Sequence, residues 1–285
     1  MTESYLQKAI AEYDADFIDR WRRLFGEHRA CENENRMWLA GPTSYIFNFG
    51  GEKFAVDPQV RRPKDRDLLY PSIAEDMSAV RFVLITHDHG DHMCPSLMKA
   101  LKDLPIIWYL PKNARRDYIE DSEIPEEKIV YVSAGDVFDI GKLKIKAYHT
   151  PHGKPGGIFP DQCGYEIIAP NGTVFIPGDV RDYDYRGYDG LGKINLCISH
   201  LWAGNDSINE TEYAPLMEEY ADFTADIKAR RYFLCHLYEI GRKELNLWHD
   251  GHAERATRLL KARLPDAEIC VPRVGESYSL DFEDG

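Results

Sequence analysis

The chain has 285 residues, 44% hydrophobic and 29% charged, with 35 Lys and Arg against 48 Asp and Glu for a formal net charge of −13. Apolar and aromatic residues run from end to end, which argues against disorder, and the length suffices for one large core. The acidic balance argues against a surface built to grip nucleic acid or anionic lipid, and no apolar run approaches the ~20 residues of a membrane helix.

Residues 1–11 are polar and lack the basic-then-apolar layout of a signal peptide. Cys31, Cys94, Cys163, Cys197, Cys235 and Cys270 form no CxxC pair. They read as reduced thiols, so a cytoplasmic protein is expected.

In chain order, Leu6, Ile10, Tyr13, Phe17, Trp21, Leu24 and Phe25 recur at spacings of three and four, predicting an amphipathic helix over residues 4–30. His28 follows these apolar positions and is expected at the surface. From Met37 the period changes, and residues 45–49 and 54–56 around Gly50-Gly51 read as a hairpin. Residues 59–72 read as loop, and 80–85 as a strand buried on both faces. Pro95 opens a helix with Leu97, Met98, Leu101 and Leu104 inward; residues 106–110 read as a strand, 111–120 as a helix and 129–132 as a strand. Hairpins follow over 137–148 and 165–176, then a strand at 194–199, a helix within 210–230, and a strand at 232–235. A helix at 251–264 and strands at 268–271 and 278–280 complete the order. Two sheets packed face to face with helices outside, in one domain, suit this order.

The chemistry concentrates in Thr86-His87-Asp88-His89-Gly90-Asp91-His92, where three of the chain's ten histidines follow a buried strand. Imidazole and carboxylate are the ligands that borderline divalent cations prefer, and donors on one turn can serve two ions. Similar residues recur where other apolar strands end: His149 and His152, Gly178-Asp179, His200 and His236. Strand ends on one rim are where α/β proteins assemble sites.

With these residues the sequence resembles the metallo-β-lactamase superfamily. His87 to His92 fits its HxHxDH signature at every fixed position, and Gly178-Asp179 is similar to its later Gly-Asp element. The opening Gly41-Pro42-Thr43-Ser44-Tyr45-Ile46 through Val56-Asp57-Pro58 resembles the branch containing ascorbate-6-phosphate lactonase. The signature is specific for fold and metals and not for substrate, because the superfamily spans lactones, β-lactams, thioesters, phosphodiesters and nucleic acids. The resemblance covers about 250 residues. It implies an α/β fold, a four-layer αββα sandwich over residues 37–285, with a helical extension at 1–36 outside it.

Position by position, the resemblance implies that His87, His89 and a third histidine bind one divalent metal ion. Asp91, His92 and His236 would bind a second, with Asp179 bridging. His152 is preferred over His149 as the third histidine, because a Thr-Pro precedes it. Zinc is expected, with manganese or iron also suited to these ligands. Asp57 could orient a ligand imidazole or cap a turn, and Asp88 is expected to bond within its loop. His249 and His252 are expected to cap a helix or lie on the surface.

The implied activity is dinuclear metal-dependent hydrolysis of an ester, lactone or phosphodiester by a hydroxide shared between the metals. Asp91 would orient it and take its proton. A small anionic or sugar-derived substrate is expected, held by His200, Arg181, Arg186 and Tyr183, with Arg61 and Arg62 as further candidates. A nuclease on the same fold and a di-iron oxidoreductase are the rivals. Flavodiiron-type relatives carry a glutamate where His89 stands. No membrane or nucleic acid partner is expected, and a homo-oligomer stays open.

Overall fold

The computed structural model describes residues 16–59, 72–153, 157, 159–188, 190–203, 214–239 and 248–282. Its elements begin with α1 (Phe17–Ala30), β1 (Arg36–Gly41), β2 (Ser44–Phe49), β3 (Glu52–Val56), α2 (Ile73–Asp76), a 3-10 turn (Met77–Ala79) and β4 (Phe82–Leu84). Next come α3 (Pro95–Ala100), β5 (Ile107–Pro111), α4 (Arg116–Ser122), a second 3-10 turn (Glu126–Lys128), β6 (Ile129–Val132), β7 (Val137–Ile140), β8 (Leu143–His149) and β9 (Cys163–Ala169). The chain continues through β10 (Gly172–Ile176), β11 (Leu196–His200), α5 (Ala214–Asp226), β12 (Arg231–Cys235), α6 (Asp250–Arg263), β13 (Glu268–Cys270) and β14 (Ser277–Ser279).

The strands form two seven-stranded mixed sheets, ordered β14-β1-β2-β3-β4-β5-β6 and β13-β12-β11-β10-β9-β8-β7. Between them lies one apolar layer, where Phe47, Phe54 and Phe82 stack across β2, β3 and β4 at centroid separations of 4.7 Å. Tyr165, Ile167 and Phe233 meet them from the second sheet. Ile46, Ala55 and Val83 point the other way and are covered by α1 through Trp21, Leu24 and Phe25. Phe175, Cys197 and Tyr232 on the second sheet's outer face are covered by Tyr220 of α5 and Ala256 and Leu260 of α6. Helix, sheet, sheet, helix is therefore the layer order. Strands buried on both faces are nearly continuously apolar, as β2 and β4 are.

The expected elements recur, with four differences. β1 was not anticipated, because its segment Arg36–Gly41 is buried almost throughout and so lacks alternation. Pro111 closes β5 instead of opening a helix; α4 begins at Arg116. Residues 73–79, between the expected loop and the expected strand, form α2 and the 3-10 turn. His28 is not at the surface. It lies four residues after Leu24 on the buried stripe of α1, is fully buried edge-on to Phe25 and Trp38, and has Nε2 3.1 Å from the Phe47 carbonyl. Burial pushes its pKa down to about 4, so the neutral ring donates to that carbonyl.

Residues 1–15, with the first part of the expected helix, and Arg61 and Arg62 lie outside the described residues. Among the described residues no helix is long and apolar enough to cross a membrane, and all six cysteines are free. Trp21 is 2% exposed between α1 and the first sheet. Trp21→Ala is expected to reduce unfolding free energy by about 3–5 kcal/mol, the usual range for emptying a buried aromatic site, as measured by urea denaturation.

Candidate metal centre

The ends of strands from both sheets converge on one rim of the sandwich. β4 runs into the loop carrying His87, His89, Asp91 and His92, which the backbone N–H groups of His92 and Met93 close by donating to the His89 carbonyl. β8 leads to His152, β10 to Asp179, β11 ends at His200, and β12 leads to His236. The side chains meet in two groups: His87, His89 and His152, and Asp91, His92, Asp179 and His236. Within each group the potential ligand atoms all lie within 4.8 Å of one another. Asp179 joins them. Its Oδ1 is 3.5 Å from His92 Nε2, while its Oδ2 is 3.9 Å from His152 Nε2.

Backbone geometry sets up this convergence. Asp57 and His236 follow β3 and β12 with φ of 47° and 71°, a left-handed conformation unusual outside glycine. Gly178 turns at φ +75° just before Asp179, and a Cβ there would meet the Gln162 amide at 3.1 Å. Gln162 needs that space, because its Oε1 accepts from the Asp179 N–H (3.2 Å) and its Nε2 donates to Thr150 Oγ1 (2.9 Å). One amide thus ties the Asp179 turn to the turn before His152.

Hydrogen bonds also fix the imidazole tautomers. The Asp57 carboxylate accepts from the Thr86 N–H at 2.7 Å, the Thr86 hydroxyl at 2.6 Å and His92 Nδ1 at 2.7 Å. With its proton committed to Asp57, Thr86 Oγ1 must accept from His87 Nδ1, 3.1 Å away. Nε2 of His87 is then left with a lone pair, and Nε2 of His92 is the nitrogen turned towards the Asp91 and Asp179 carboxylates. Both atoms, and both ring nitrogens of His152, are buried without a hydrogen-bond partner. A buried polar atom in that state is costly unless something else meets it. In imidazoles aimed at one another and at carboxylates, a cation is what fits.

The two groups differ electrostatically. Burial pushes His87 and His89 down, and takes His152 to about 3 with help from the nearby Arg181 charge, so this trio is neutral. Burial would lower His92 and His236 too, but Asp179 and its neighbouring carboxylates outweigh it, raising His92 well above its ordinary value and His236 to about 9. Burial would likewise raise Asp91, yet His92 and His236 hold it well below the usual carboxylate range. Only His89 and Asp91 among the seven side chains are partly exposed, so the mouth opens at the His89-Gly90-Asp91 turn.

The other expected residues fall into place around this centre. His149 is exposed against Tyr185, away from the two groups, whereas His152 is buried within the first. His200 is turned inward. It is 3% exposed, with Nδ1 2.9 Å from Asp179 Oδ1 and Nε2 2.7 Å from Tyr45 Oη, so one nitrogen holds Asp179 and the other is held by Tyr45. Tyr183 is buried against Tyr220 and Phe223 and donates to the Trp202 carbonyl. Arg186 is exposed, donates to the Tyr183 and Tyr185 carbonyls and pairs with Asp226. Neither reaches the centre. Arg181 does, with Nη2 3.4 Å from Asp179 Oδ2 and its guanidinium over Trp202. Asp88 accepts from the Arg115 N–H at the start of α4, and His249 and His252 cap α6. Thr86, Gln162 and Glu239, whose Oε2 is 3.1 Å from His236 Nε2, were not singled out from sequence. Adjacency to the motif and to His236 was the only signal that Thr86 and Glu239 carried, and Gln162 carried none.

A sequence profile described as a beta-lactamase superfamily domain matches residues 54–237. A UPF0173 protein of Pyrococcus abyssi is 30% identical over 181 residues, covering 62% of this chain and 75% of its own. A UPF0173 metal-dependent hydrolase of Pyrobaculum aerophilum is 29% identical over 156 residues, 52% of this chain and 64% of its own, so just under two thirds of that relative is spanned. Among solved structures, a metallo hydrolase from the archaeon Ignicoccus hospitalis superposes with a TM-score of 0.62 at 15% identity, over 88% of this chain and all of its own.

Two outcomes follow from the geometry. Asp57→Asn removes the carboxylate that orients His92 and is expected to weaken metal uptake about 10- to 100-fold, the usual effect of losing such a partner. Asp88→Asn, in the same loop, should leave uptake unchanged; isothermal titration of both variants with Zn²⁺ checks this. In the metal-free protein His236 keeps its proton up to a pH of about 9, so a cation must displace it. Affinity at the second group should therefore fall as pH drops from 9 to 6, with proton release seen as a calorimetric heat that varies with buffer ionisation enthalpy.

Proposed function

The chain belongs to the metallo-β-lactamase superfamily, and on that premise we propose that it is a hydrolase using two divalent cations, one held by His87, His89 and His152 and the other by Asp91, His92 and His236, with Asp179 shared. The observation that carries this reading is the set of buried, unpartnered imidazole nitrogens facing the Asp91 and Asp179 carboxylates. Zinc is the default occupant, and manganese or iron suits the same donors. Bound cations of this kind supply Lewis acidity and acidify water at neutral pH.

The chain's own residues account for the rest. Asp57 and Thr86 keep His92 and His87 in the tautomer that presents Nε2. His200 and Arg181 hold opposite oxygens of Asp179. Asp91 is held ionised and is the one partly open carboxylate of its group, so it is placed to orient the attacking water and accept its proton. No serine or cysteine nucleophile is required.

We assign the substrate to small anionic esters, lactones or phosphodiesters. Arg181 supports this, since its Nε is buried without a hydrogen-bond partner and its guanidinium lies beside the mouth. Guanidinium groups hold carboxylate and phosphate with paired donors. The likeness of residues 41–46 and 56–58 to the branch containing ascorbate-6-phosphate lactonase favours a sugar-derived member of this class. His89, where flavodiiron-type relatives carry glutamate, favours hydrolysis over di-iron redox chemistry. The free thiols support a cytosolic setting.

The reading is tested by a screen of metal-loaded protein against phosphorylated and neutral lactones, bis-p-nitrophenyl phosphate, thioesters and β-lactams. Full activity after chelation and dialysis would overturn it. His152→Ala is expected to lose about one metal equivalent by atomic absorption, and His149→Ala none. Arg181→Ala is expected to raise KM for anionic substrates about tenfold or more relative to KM for neutral lactones, as the loss of a charged contact worth ~1.5–3 kcal/mol predicts.

A further inference from the structure

Glu239 lies three residues after His236, beyond the superfamily's ligand pattern, and places its carboxylate beside His236 of the second group. It is 9% exposed, and its Oε2 is 3.1 Å from His236 Nε2. The same Nε2 is 3.6 Å from Asp91 Oδ2, while His236 Nδ1 is 3.3 Å from the Leu201 carbonyl to which it can donate. His236 thus points one nitrogen at a backbone acceptor and the other into a space bounded by two carboxylates. His92 Nε2, buried and without a hydrogen-bond partner, faces that space at 3.7 Å from Asp91 Oδ2 and 3.5 Å from Asp179 Oδ1.

The spacing is informative. Atoms sharing a cation through bonds of ~2.1 Å are at most about 4.2 Å apart. The separations of 3.5–3.8 Å among Asp91, His92, Asp179 and His236 and the His236–Glu239 separation of 3.1 Å all lie within that reach. With Glu239 added, the second group has three carboxylates and two imidazoles, against three imidazoles and only the shared Asp179 in the first. Carboxylate-rich sites suit manganese, and imidazole-rich sites suit zinc.

We propose that Glu239 is a fifth protein ligand of the second half-site, making the two half-sites unequal in metal preference: the first favours Zn²⁺ strongly, and the second accepts Mn²⁺ at a much smaller disadvantage. This rests on the reading that the cluster holds two cations. Zinc generally outcompetes manganese at a site of fixed donors. The quantity that Glu239 controls is therefore the ratio of the two affinities.

The test uses the full chain stripped of metal by chelation. It is titrated separately with Mn²⁺ and Zn²⁺ by calorimetry, and bound Mn²⁺ is counted by electron paramagnetic resonance. Glu239→Gln keeps volume and removes the charge, while Glu239→Asp keeps the charge and shortens its reach. In Glu239→Gln, Mn²⁺ affinity at one site is expected to fall at least tenfold more than Zn²⁺ affinity, with the other site unmoved and Glu239→Asp in between. Equal losses for the two ions, as a residue that only orients His236 would give, overturn the proposal, and so does no loss. Two cations bound by the wild type with an unchanged ratio in the variants refutes the role of Glu239 alone, whereas no cation bound by the wild type refutes the dinuclear reading itself. If circular dichroism shows Glu239→Gln unfolded, the affinity ratio in Glu239→Asp decides by the same criterion.

Discussion

The arrangement of the centre depends on one carboxylate that never faces the solvent. Asp57 is fully buried at the end of β3 and accepts three hydrogen bonds, two from Thr86 and one from His92. Through His92 it sets a residue of the second group, and through the Thr86 hydroxyl it sets His87 in the first. Both tautomers are therefore consequences of a single side chain. The same bonds pin the loop after β4 to the neighbouring strand, so fold and site share this link. A buried anion is tolerated because its acceptor capacity is nearly filled.

Asp179 imposes the second constraint. At 2% exposure its carboxylate is held ionised by His236, His92 and His200 against a strong burial penalty. His200 is in turn held by Tyr45 from the opposite sheet, so the line Tyr45–His200–Asp179 crosses the sandwich. Arg181 approaches the other oxygen. The result is an asymmetric cluster: neutral imidazoles on one side, carboxylates balanced by raised imidazoles on the other. In such a cluster the positions of the protons and the positions available to cations are set by the same lone pairs.

Much of this was legible in the sequence, for a definable reason. The HxHxDH run, Asp179 and His236 all follow apolar strands, and strand ends announce themselves by the switch from apolar to polar residues. The β-strand and hairpin pattern around them was equally plain. What the sequence concealed were partners separated by long stretches of chain. Gln162 is far from both turns it joins, and nothing in an isolated glutamine marks it. His200 carries the right residue at a strand end, yet only the approach of Tyr45, 155 positions earlier, shows that its ring is fully used. His28 misled for the opposite reason, since a histidine at the end of an amphipathic helix reads as polar although its spacing from Leu24 put it on the buried face. Tyr183 and Arg186 looked like substrate contacts because they follow Asp179 closely; packing turned one inward and solvation drew the other out.

The centre is also expensive in backbone terms, and the fold explains why it persists. Asp57 and His236, from different sheets, both adopt left-handed conformations directly after their strands. Each such non-glycine residue carries about 1–3 kcal/mol of strain. Asp57 is fixed by its N–H donating to the Leu84 carbonyl and by the Ser44 hydroxyl donating to its own carbonyl, and His236 by its N–H donating to the Pro42 carbonyl. Those bonds cross between neighbouring strands in one case and between the two sheets in the other. The strain is therefore met by the face-to-face packing of the sheets, whose inner layer of stacked aromatic rings resists relative movement. Ligands mounted on rigid strand ends keep their geometry better than ligands on long loops. At Asp57 and His236 irregular backbone stands where regular strands end, so the precision of the site is inherited from the sandwich.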